Sequence, residues 1–317
     1  MRVKKISKVS TVLLLVLVGG LISIPFWGST FLLSLLLVVF MNVTFAESWN
    51  IIGGFTGLIS FGHMVFFGVG AYTGAMLLRD FGLSPFITAP FGGLTAMLLA
   101  VATGLPCTRV RGFYFAIVTS SLNEVVRLVV TILPWTGGAS GIVLPSLAFD
   151  PKTTVSIFYF AMFIVMITTI FVAYRLSRSK IGVGLMAIRE DEPAARSTGV
   201  AAGKLKLLSM AIGSFFPGAA GCLYSYYMTY IDPATVFNLV LSFQAIMMVL
   251  LGGTGTILGP VVGACLFTVT SELFRYTIVF EALHAIAFGI LLVFIVLFIP
   301  EGIVGWLNRK FKSRLFI

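Results

Sequence analysis

The sequence predicts an all-α, polytopic transmembrane helical bundle. Of the 317 residues, 59% are hydrophobic and only 10% are charged, whereas a soluble domain carries about 25% charged residues. The mean hydropathy is +1.08. So many apolar side chains cannot all be buried inside a water-facing globule, so lipid must be the solvent. The predicted organisation is a single transmembrane domain over residues 1–317, with no independent soluble domain.

About ten apolar runs are long enough to be considered as spans, because a spanning helix needs roughly 20 mostly apolar residues. The third run is long and interrupted by glycines, and the ninth is short. A bundle of eight spans is the alternative. The runs cover residues 11–26, 31–46, 53–78, 85–105, 113–133, 156–174, 207–228, 236–251, 258–271 and 278–299.

The distribution of basic residues predicts the orientation of the bundle. Cytoplasmic loops of membrane proteins carry an excess of Lys and Arg. When the N-terminus is placed in the cytoplasm and the runs alternate, all but four of the 21 Lys and Arg residues fall on the cytoplasmic side. Both termini are therefore predicted to be cytoplasmic, and the net charge of +10 reflects orientation and contact with anionic lipid. The four exceptions are Arg79, Arg127, Lys152 and Arg275.

Residues 175–206 form the longest polar passage, and apolar runs flank it on both sides. Its centre, residues 185–198, is predicted to be a short amphipathic helix closed by Gly199, since glycine commonly ends helices. A membrane protein that presents one folded helix to the cytoplasm usually does so for a soluble partner. The basic residues of this loop are Arg175, Arg178, Lys180, Arg189, Arg196, Lys204 and Lys206.

Glycine-rich stretches allow two interpretations. Small residues four apart let helix backbones approach closely in lipid. Alternatively, glycines break a helix, and the freed backbone groups line a water-filled path. The second interpretation best fits residues 53–62 and 251–260, where Ser and Thr add polar groups. The path candidates in and next to these stretches are Gly57, Ser60, Gly62, His63, Gly252, Gly253 and Gly255.

Few ionisable residues lie within the predicted spans. Glu124 and Arg127 are three residues apart on one helix and can pair across a turn. Because a lone charge in lipid is costly, they are expected to face the bundle interior, either as a structural pair or along a path. His63 is either a proton carrier or a hydrogen-bonded interior histidine. Gln244 is a further interior polar candidate.

The sequence lacks the usual motifs of catalysis and nucleotide binding. No G-x-x-x-x-G-K-[ST] phosphate-binding loop occurs, and the glycine-rich residues 252–259 contain no lysine. The three cysteines are far apart and have no metal-ligand spacing. The chain is predicted not to be an enzyme and to bind no metal. If ATP drives this protein, another chain must bind it.

Five strings occur together in a recognisable order. They are GLISFGHMVFFGVGAYTGAML (57–77), RGFYFAIVTSSLNEVVR (111–127), TGGASGI (136–142), SKIGVGLMAIREDEPAARSTGV (179–200) and MMVLLGGTGTILGPVVGA (247–264). The chain resembles a permease of the branched-chain amino acid class of ABC importers, the second of its two paired permeases. The similarity runs from about residue 31 to residue 300.

The resemblance implies an ABC importer permease fold in a bacterial plasma (inner) membrane. It implies a second homologous permease that completes the path, two cytoplasmic ATPase subunits that bind ATP and Mg, and an extracytoplasmic substrate-binding protein. This chain itself would bind no cofactor. The implied substrates are branched-chain or other hydrophobic amino acids, with urea, amides or other small solutes as alternatives.

The resemblance also implies a coupling role for the loop 175–206. ABC importers carry an E-A-A-x-x-x-G signature on a short helix that docks on the ATPase. Here Ala194, Ala195 and Gly199 match, while Glu192 stands one place early with Pro193 between. Proline is tolerated in a first helical turn, so the docking helix is expected to start near Pro193. The implied coupling residues are Arg189, Glu190, Asp191, Glu192, Ala194, Ala195 and Gly199.

Two other classes of function fit part of the sequence. A self-powered secondary transporter, coupled to protons or sodium, usually needs carboxylates along its path, and Glu124 is the main candidate. A membrane enzyme or a passive channel is the other class. The coupling-like loop and the lack of a carboxylate array favour the ABC permease.

Overall fold

The computed structural model describes residues 8–108, 110, 112–146, 149–277 and 302–310, which are mostly helical. Two short strands, β1 (Ile142–Val143) and β2 (Tyr230–Ile231), pair antiparallel. The helices are α1 Lys8–Trp27, α2 Thr30–Trp49, α3 Met64–Phe81, α4 Pro85–Cys107, α5 Phe113–Ile132, α6 Pro151–Ser177, α7 Lys180–Glu190, α8 Glu192–Ser197, α9 Ala202–Met228, α10 Pro233–Val236, α11 Leu239–Gly252 and α12 Leu258–Thr277, followed by a helix at Gly302–Lys310.

The predicted polytopic helical architecture is confirmed. Among the described residues, six helical segments are long and apolar enough to cross a membrane. Two shorter apolar helices, Val18–Trp27 and Leu258–Phe274, accompany them. The predicted run 278–299 lies outside the described residues, so the total of ten spans stays a prediction. The six segments are Thr30–Gly54, Pro85–Cys107, Phe113–Ile132, Pro151–Ser177, Ala202–Met228 and Pro233–Gly252.

The predicted third span, residues 53–78, is wrong in its first part. α2 does not end near residue 46 but continues through a widened π-turn at Asn50–Gly54. The chain then leaves the helix at Gly57, whose φ of 76° lies in the left-handed region that favours glycine. Helix resumes only at α3, which begins at Met64. The expected glycine break is therefore present, but it separates α2 from α3.

Glycines hold α3, α4 and α9 together at the centre of the bundle. A Cβ atom added to Gly70 would lie 2.0 Å from the carbonyl oxygen of Gly218, and one added to Gly218 would lie 2.6 Å from that of Gly92. The three backbones are therefore in direct contact, as small residues allow in lipid. The packing interpretation of the glycine spacing is confirmed here.

Aromatic side chains join α2 to α6. The ring of Phe40 lies 5.0 Å from that of Tyr159 and 5.2 Å from that of Phe163, measured between centroids. The Tyr159 hydroxyl donates a hydrogen bond of 2.7 Å to the carbonyl of Leu21 in α1. A tyrosine buried in an apolar layer needs such a partner, and this one fastens α1 to the bundle.

The predicted helix over residues 185–198 is wrong as a single helix. It is split into α7 and α8 at Asp191, which has extended φ/ψ of −155° and 105°. The ring of Pro193 would clash with the carbonyl of Arg189, four residues earlier, if the helix continued. The Asp191 carboxylate instead caps α8 by accepting the Ala194 N–H at 2.9 Å. The expected start of a helix near Pro193 and its end before Gly199, at φ 88°, are confirmed, while its docking on an ATPase stays a prediction.

The central packing predicts opposite effects for two glycines of α9. Gly218→Ala should lower the melting temperature of the purified protein, because its methyl group would meet backbone atoms of α4, and overpacking costs about 1–3 kcal/mol. Gly203→Ala is the matched control, since nothing lies within 4 Å of its added Cβ, and alanine favours helix by about 1 kcal/mol. Equal melting temperatures for the two variants would contradict the packing described.

Candidate functional site

Three segments meet at one end of the bundle: the loop containing α7 and α8, the break after α2, and the turn between α11 and α12. The helix Gly302–Lys310 begins at the same place, since a Cβ on Gly302 would lie 2.4 Å from the backbone nitrogen of Gly253. The sequence predicts that the loop 175–206 and the turn between α11 and α12 share one side of the membrane, and the structure brings both of them to the break after α2. We call the contact between the three segments the loop junction.

Asn50 is one of the two side chains that form the loop junction. Its Nδ2 donates to the carbonyl of Thr256 at 2.8 Å, and its Oδ1 accepts the N–H of Gly255 at 2.9 Å. Asn50 is fully buried. Both ends of the amide thus satisfy backbone groups that the turn between α11 and α12 leaves without helical partners, as buried backbone groups require.

Arg189, at the end of α7, is the other side chain that forms the loop junction. Its Nη1 donates to the carbonyl of Gly54 at 2.6 Å, a charge-assisted bond of the stronger kind. A Cβ on Gly255 would lie 2.3 Å from this nitrogen, and one on Gly57 would lie 3.3 Å from Arg189 Cγ. Gly57 and Gly255 both have positive φ, 76° and 75°. The Arg189 side chain therefore passes close to glycines at both helix breaks, with its stem against Gly57 and its guanidinium against Gly255.

Apolar contacts reinforce the loop junction. Leu185 of α7 is completely buried and belongs to one cluster with Ile51, which lies in the π-turn after α2, and Phe55, which follows it. A second cluster of Ile188 and Ala195 joins α7, α8 and the start of α9. α7 is therefore attached to the break after α2 by both packing and a charged hydrogen bond, and α8 is attached to α7.

The predicted coupling residues divide into inward and outward groups. Glu192 faces inward: its carboxylate accepts from Lys206 of α9 and from Arg196, each at 2.7 Å, and the Lys206 side chain is only 3% exposed. Ala195 is buried as well. The contact of these residues with an ATPase stays a prediction. The exposed members of the set are Arg189, Glu190, Asp191, Ala194 and Gly199.

The backbone of the first helix break is bonded to neighbouring helices. Trp49 Nε1 donates to the carbonyl of Ser60 at 2.8 Å, and the Phe61 N–H donates to Thr119 Oγ1 of α5 at 3.1 Å. Polar side chains from α2 and α5 thus replace the missing helical partners, as hydrocarbon surroundings demand.

Three of the path candidates in this break lie inside the packing of the chain, while Gly57 is exposed. His63 is fully buried and its Nε2 lies 2.9 Å from Ser48 Oγ, so the interpretation as a hydrogen-bonded interior histidine is confirmed. A Cβ on Gly62 would lie 2.0 Å from the carbonyl of Thr119, and Ser60 is buried. Their part in a path stays a prediction.

Other path candidates lie elsewhere in the bundle. Gly252 packs against the start of α12, where its added Cβ would lie 1.7 Å from the Gly259 carbonyl. Gly253 turns the chain between α11 and α12 at φ 127°. Gln244 of α11 lines a cavity of about 100 Å³ between α2, α3, α9 and α11. The nine candidates are therefore not brought together in one site.

Glu124 and Arg127 of α5 form the predicted ion pair. Arg127 Nε donates to Glu124 Oε2 at 2.9 Å, and Arg127 Nη2 donates to Glu124 Oε1. The side chains are 43% and 31% exposed, respectively, although they lie near the middle of a helix suited to span the membrane. In the part of the chain that the structure describes, no group of three or more His, Cys, Asp and Glu could hold a metal ion.

Sequence reasoning missed Asn50 and Lys206. Asn50 was placed in a short turn between spans, although an asparagine directly before Gly53 and Gly54 in an otherwise apolar run is a recognisable signal. Lys206 was counted only as one of several basic residues that orient the loop. Its pairing with Glu192, fourteen positions earlier, crosses the turn between two helices and leaves no periodic pattern.

The family described as "Branched-chain amino acid transport system / permease component" matches residues 31–296. The chain is 29% identical to the high-affinity branched-chain amino acid transport system permease protein LivM of Escherichia coli (strain K12), over 92% of this chain and 74% of the relative. It is 30% identical to the LivM protein of Salmonella typhimurium, over 84% of this chain and 68% of the relative.

The chain is also 24% identical to the high-affinity branched-chain amino acid transport system permease protein LivH of Salmonella typhimurium, over 82% of this chain and 90% of the relative. No solved structure gave a significant match. The match to the family covers most of the chain, and it includes the break after α2, the loop with α7 and α8, and the turn after α11. The chain therefore belongs to the permease family of branched-chain amino acid transport systems.

Proposed function

We propose that this chain is the membrane-spanning permease subunit of an ATP-driven importer. It forms, with a second homologous permease, the path for branched-chain or other hydrophobic amino acids. Two cytoplasmic ATPases bind ATP and Mg²⁺, and an extracytoplasmic binding protein delivers the substrate to the bacterial inner membrane. The names of the LivM and LivH relatives support the substrate class and the paired permease.

The observation that carries the proposal is the loop junction. Ala194 of α8 and Gly199 just after it are exposed to solvent. The other side of the loop is fixed to the break after α2 by Leu185 and Arg189, and Arg189 also packs on Gly255 of the second break. An ATPase docked on α8 therefore moves α7, and α7 moves the end of α2. Asn50 passes the same displacement to the turn between α11 and α12. Such a connection lets ATP binding shift the bundle between two arrangements.

The strength of the loop junction suits a moving part. A hydrogen bond to a charged group contributes about 1.5–3 kcal/mol and a neutral one about 0.5–1.5 kcal/mol. The bonds of Arg189 and Asn50 together are thus comparable to the few kcal/mol that separate alternative conformations of a protein. By contrast, the backbone contacts between α3, α4 and α9 leave no room for displacement, so those helices are expected to move as one body.

Purification from native membranes tests the subunit composition. A mild-detergent pull-down of this chain should recover two ATPases and a second permease by mass spectrometry. Ala194→Trp should remove the ATPases, because it enlarges an exposed residue of α8. Val143→Trp is the control. Val143 is also exposed, but it lies in β1, before the start of α6, whereas α8 follows the other end of α6. Recovery of this chain alone would contradict the proposal.

Substitution of Arg189 tests the coupling. Arg189→Gln should lower leucine transport by about tenfold or more, as expected for loss of a charged hydrogen bond, while ATP hydrolysis by the assembled complex persists. The measurement is leucine uptake and ATPase activity in the same proteoliposomes. Arg178→Gln is the matched control, because Arg178 lies over the Tyr174 ring at 4.4 Å, away from both breaks. Parallel loss of transport and ATPase activity in Arg189→Gln, or unchanged transport, would defeat this account.

A further inference from the structure

One face of α5 is left uncovered by the rest of the described chain. Its buried face contacts the bundle through Phe115, Ala116, Thr119 and Asn123, and Asn123 Nδ2 donates to the carbonyl of Phe237 at 2.7 Å. The opposite face is apolar at both ends and polar in the middle, where the Glu124–Arg127 pair lies. The exposed residues of this face include Tyr114, Ile117, Ser121, Val125, Leu128 and Ile132.

The ion pair is isolated on this face. Within the described residues, each of the two side chains has only the other as a hydrogen-bond partner. A guanidinium offers five donors and an ionised carboxylate can accept several bonds. Both groups therefore keep unused bonding capacity on their exposed sides.

Lipid is an unsuitable neighbour for such a pair. Charged side chains in the middle of a span are costly and normally face a bundle interior or a water-filled cavity. The described part of the chain leaves this face of α5 open, so what covers it must lie outside the described residues. In the proposed importer this is the water-filled path completed by the second permease.

We propose that Glu124 and Arg127 are a binding site for the two charged groups of a zwitterionic amino acid as it passes along this path. The inference rests on the proposed function and adds to it a place and a mode of substrate contact. The α-ammonium group binds the Glu124 carboxylate, and the α-carboxylate binds the Arg127 guanidinium, which suits carboxylates geometrically.

Charge balance favours a zwitterion over singly charged ligands. When the pair opens, a ligand with both charges gives each protein charge a new partner, so that no charge is left uncompensated. An amine or a carboxylic acid alone would satisfy only one of the two. Val125 and Leu128 on the same face offer apolar contacts to an aliphatic side chain. The ligand class is therefore an amino acid with an apolar side chain.

Thiol labelling tests the site without relying on transport. Ser121 lies three residues before Glu124 and is exposed, so Ser121→Cys places a reporter beside the pair. Of the native cysteines, Cys107 and Cys222 are buried and Cys265 is partly buried, so Cys265→Ala is included. In the purified complex with its partner subunits, leucine should slow labelling by a water-soluble thiol reagent. 4-Methylpentanoate and 3-methylbutylamine, which each lack one charge, should not.

Variants of the pair make the test specific. Glu124→Gln and Arg127→Gln should each raise the leucine concentration needed for protection by about 10- to 100-fold, whereas Arg127→Lys, which keeps the charge, should retain part of the effect. Asp80→Asn is the control, because it removes a comparable exposed ion pair, Arg79 Nε to Asp80 Oδ1 at 2.7 Å, at the end of α3. Recovery of the partner subunits with each variant reports its folding.

Four results would overturn the inference. The first is a Ser121→Cys thiol that is unreactive in the complex with or without leucine, which would mean that the second permease covers the pair. The second and third are equal protection by the two analogues and unchanged protection in Glu124→Gln. The fourth is a complete complex whose introduced thiol reacts at the same rate with and without leucine, which removes only this site. If no ATPase copurifies with the parent protein, the proposed function itself fails.

Discussion

The arrangement of this permease depends on side chains that bond to backbone groups freed by helix breaks. In a membrane, every backbone N–H and C=O needs an internal partner. Where α2 and α11 stop, Asn50 and Arg189 supply partners for Gly54, Gly255 and Thr256. Each break is therefore also an attachment point, and the two breaks and the loop with α7 are fastened to one another.

This constraint explains why glycines occur in two different settings. At Gly70, Gly92 and Gly218 they bring helix backbones into contact, which leaves α3, α4 and α9 no room to shift relative to one another. At Gly57 and Gly255 they adopt positive φ and make room for the Arg189 side chain. The first setting forms a rigid body, and the second forms the joint between that body and the loop with α7; in the proposed importer an ATPase would act through this joint.

The sequence alone predicted the helical membrane fold, the glycine break and the start of a helix near Pro193, because hydropathy, glycine content and proline geometry act locally. The sequence-based prediction was wrong where one local pattern fits two different structures. The glycines after residue 52 were expected inside a span, but α2 continues to Gly54 because a π-turn accommodates them. The split at Asp191 was missed because the helical pattern continues on both sides of it.

Long-range contacts leave no local pattern in the sequence. Asn50 bonds to residues more than 200 positions away. The exposure of the Glu124–Arg127 pair depends on α5 having no neighbour on one face within the described chain.

Hydrogen exchange tests the loop junction most directly. Amide exchange of residues 52–60 and 253–257 would be compared between the parent protein, Arg189→Gln and Asn50→Ala. If these two side chains hold the breaks together, the amides of both segments should exchange faster in both variants. The amides of α3, α4 and α9 should stay protected. Unchanged exchange in both segments would contradict the account, because the backbone groups would then not depend on Asn50 and Arg189.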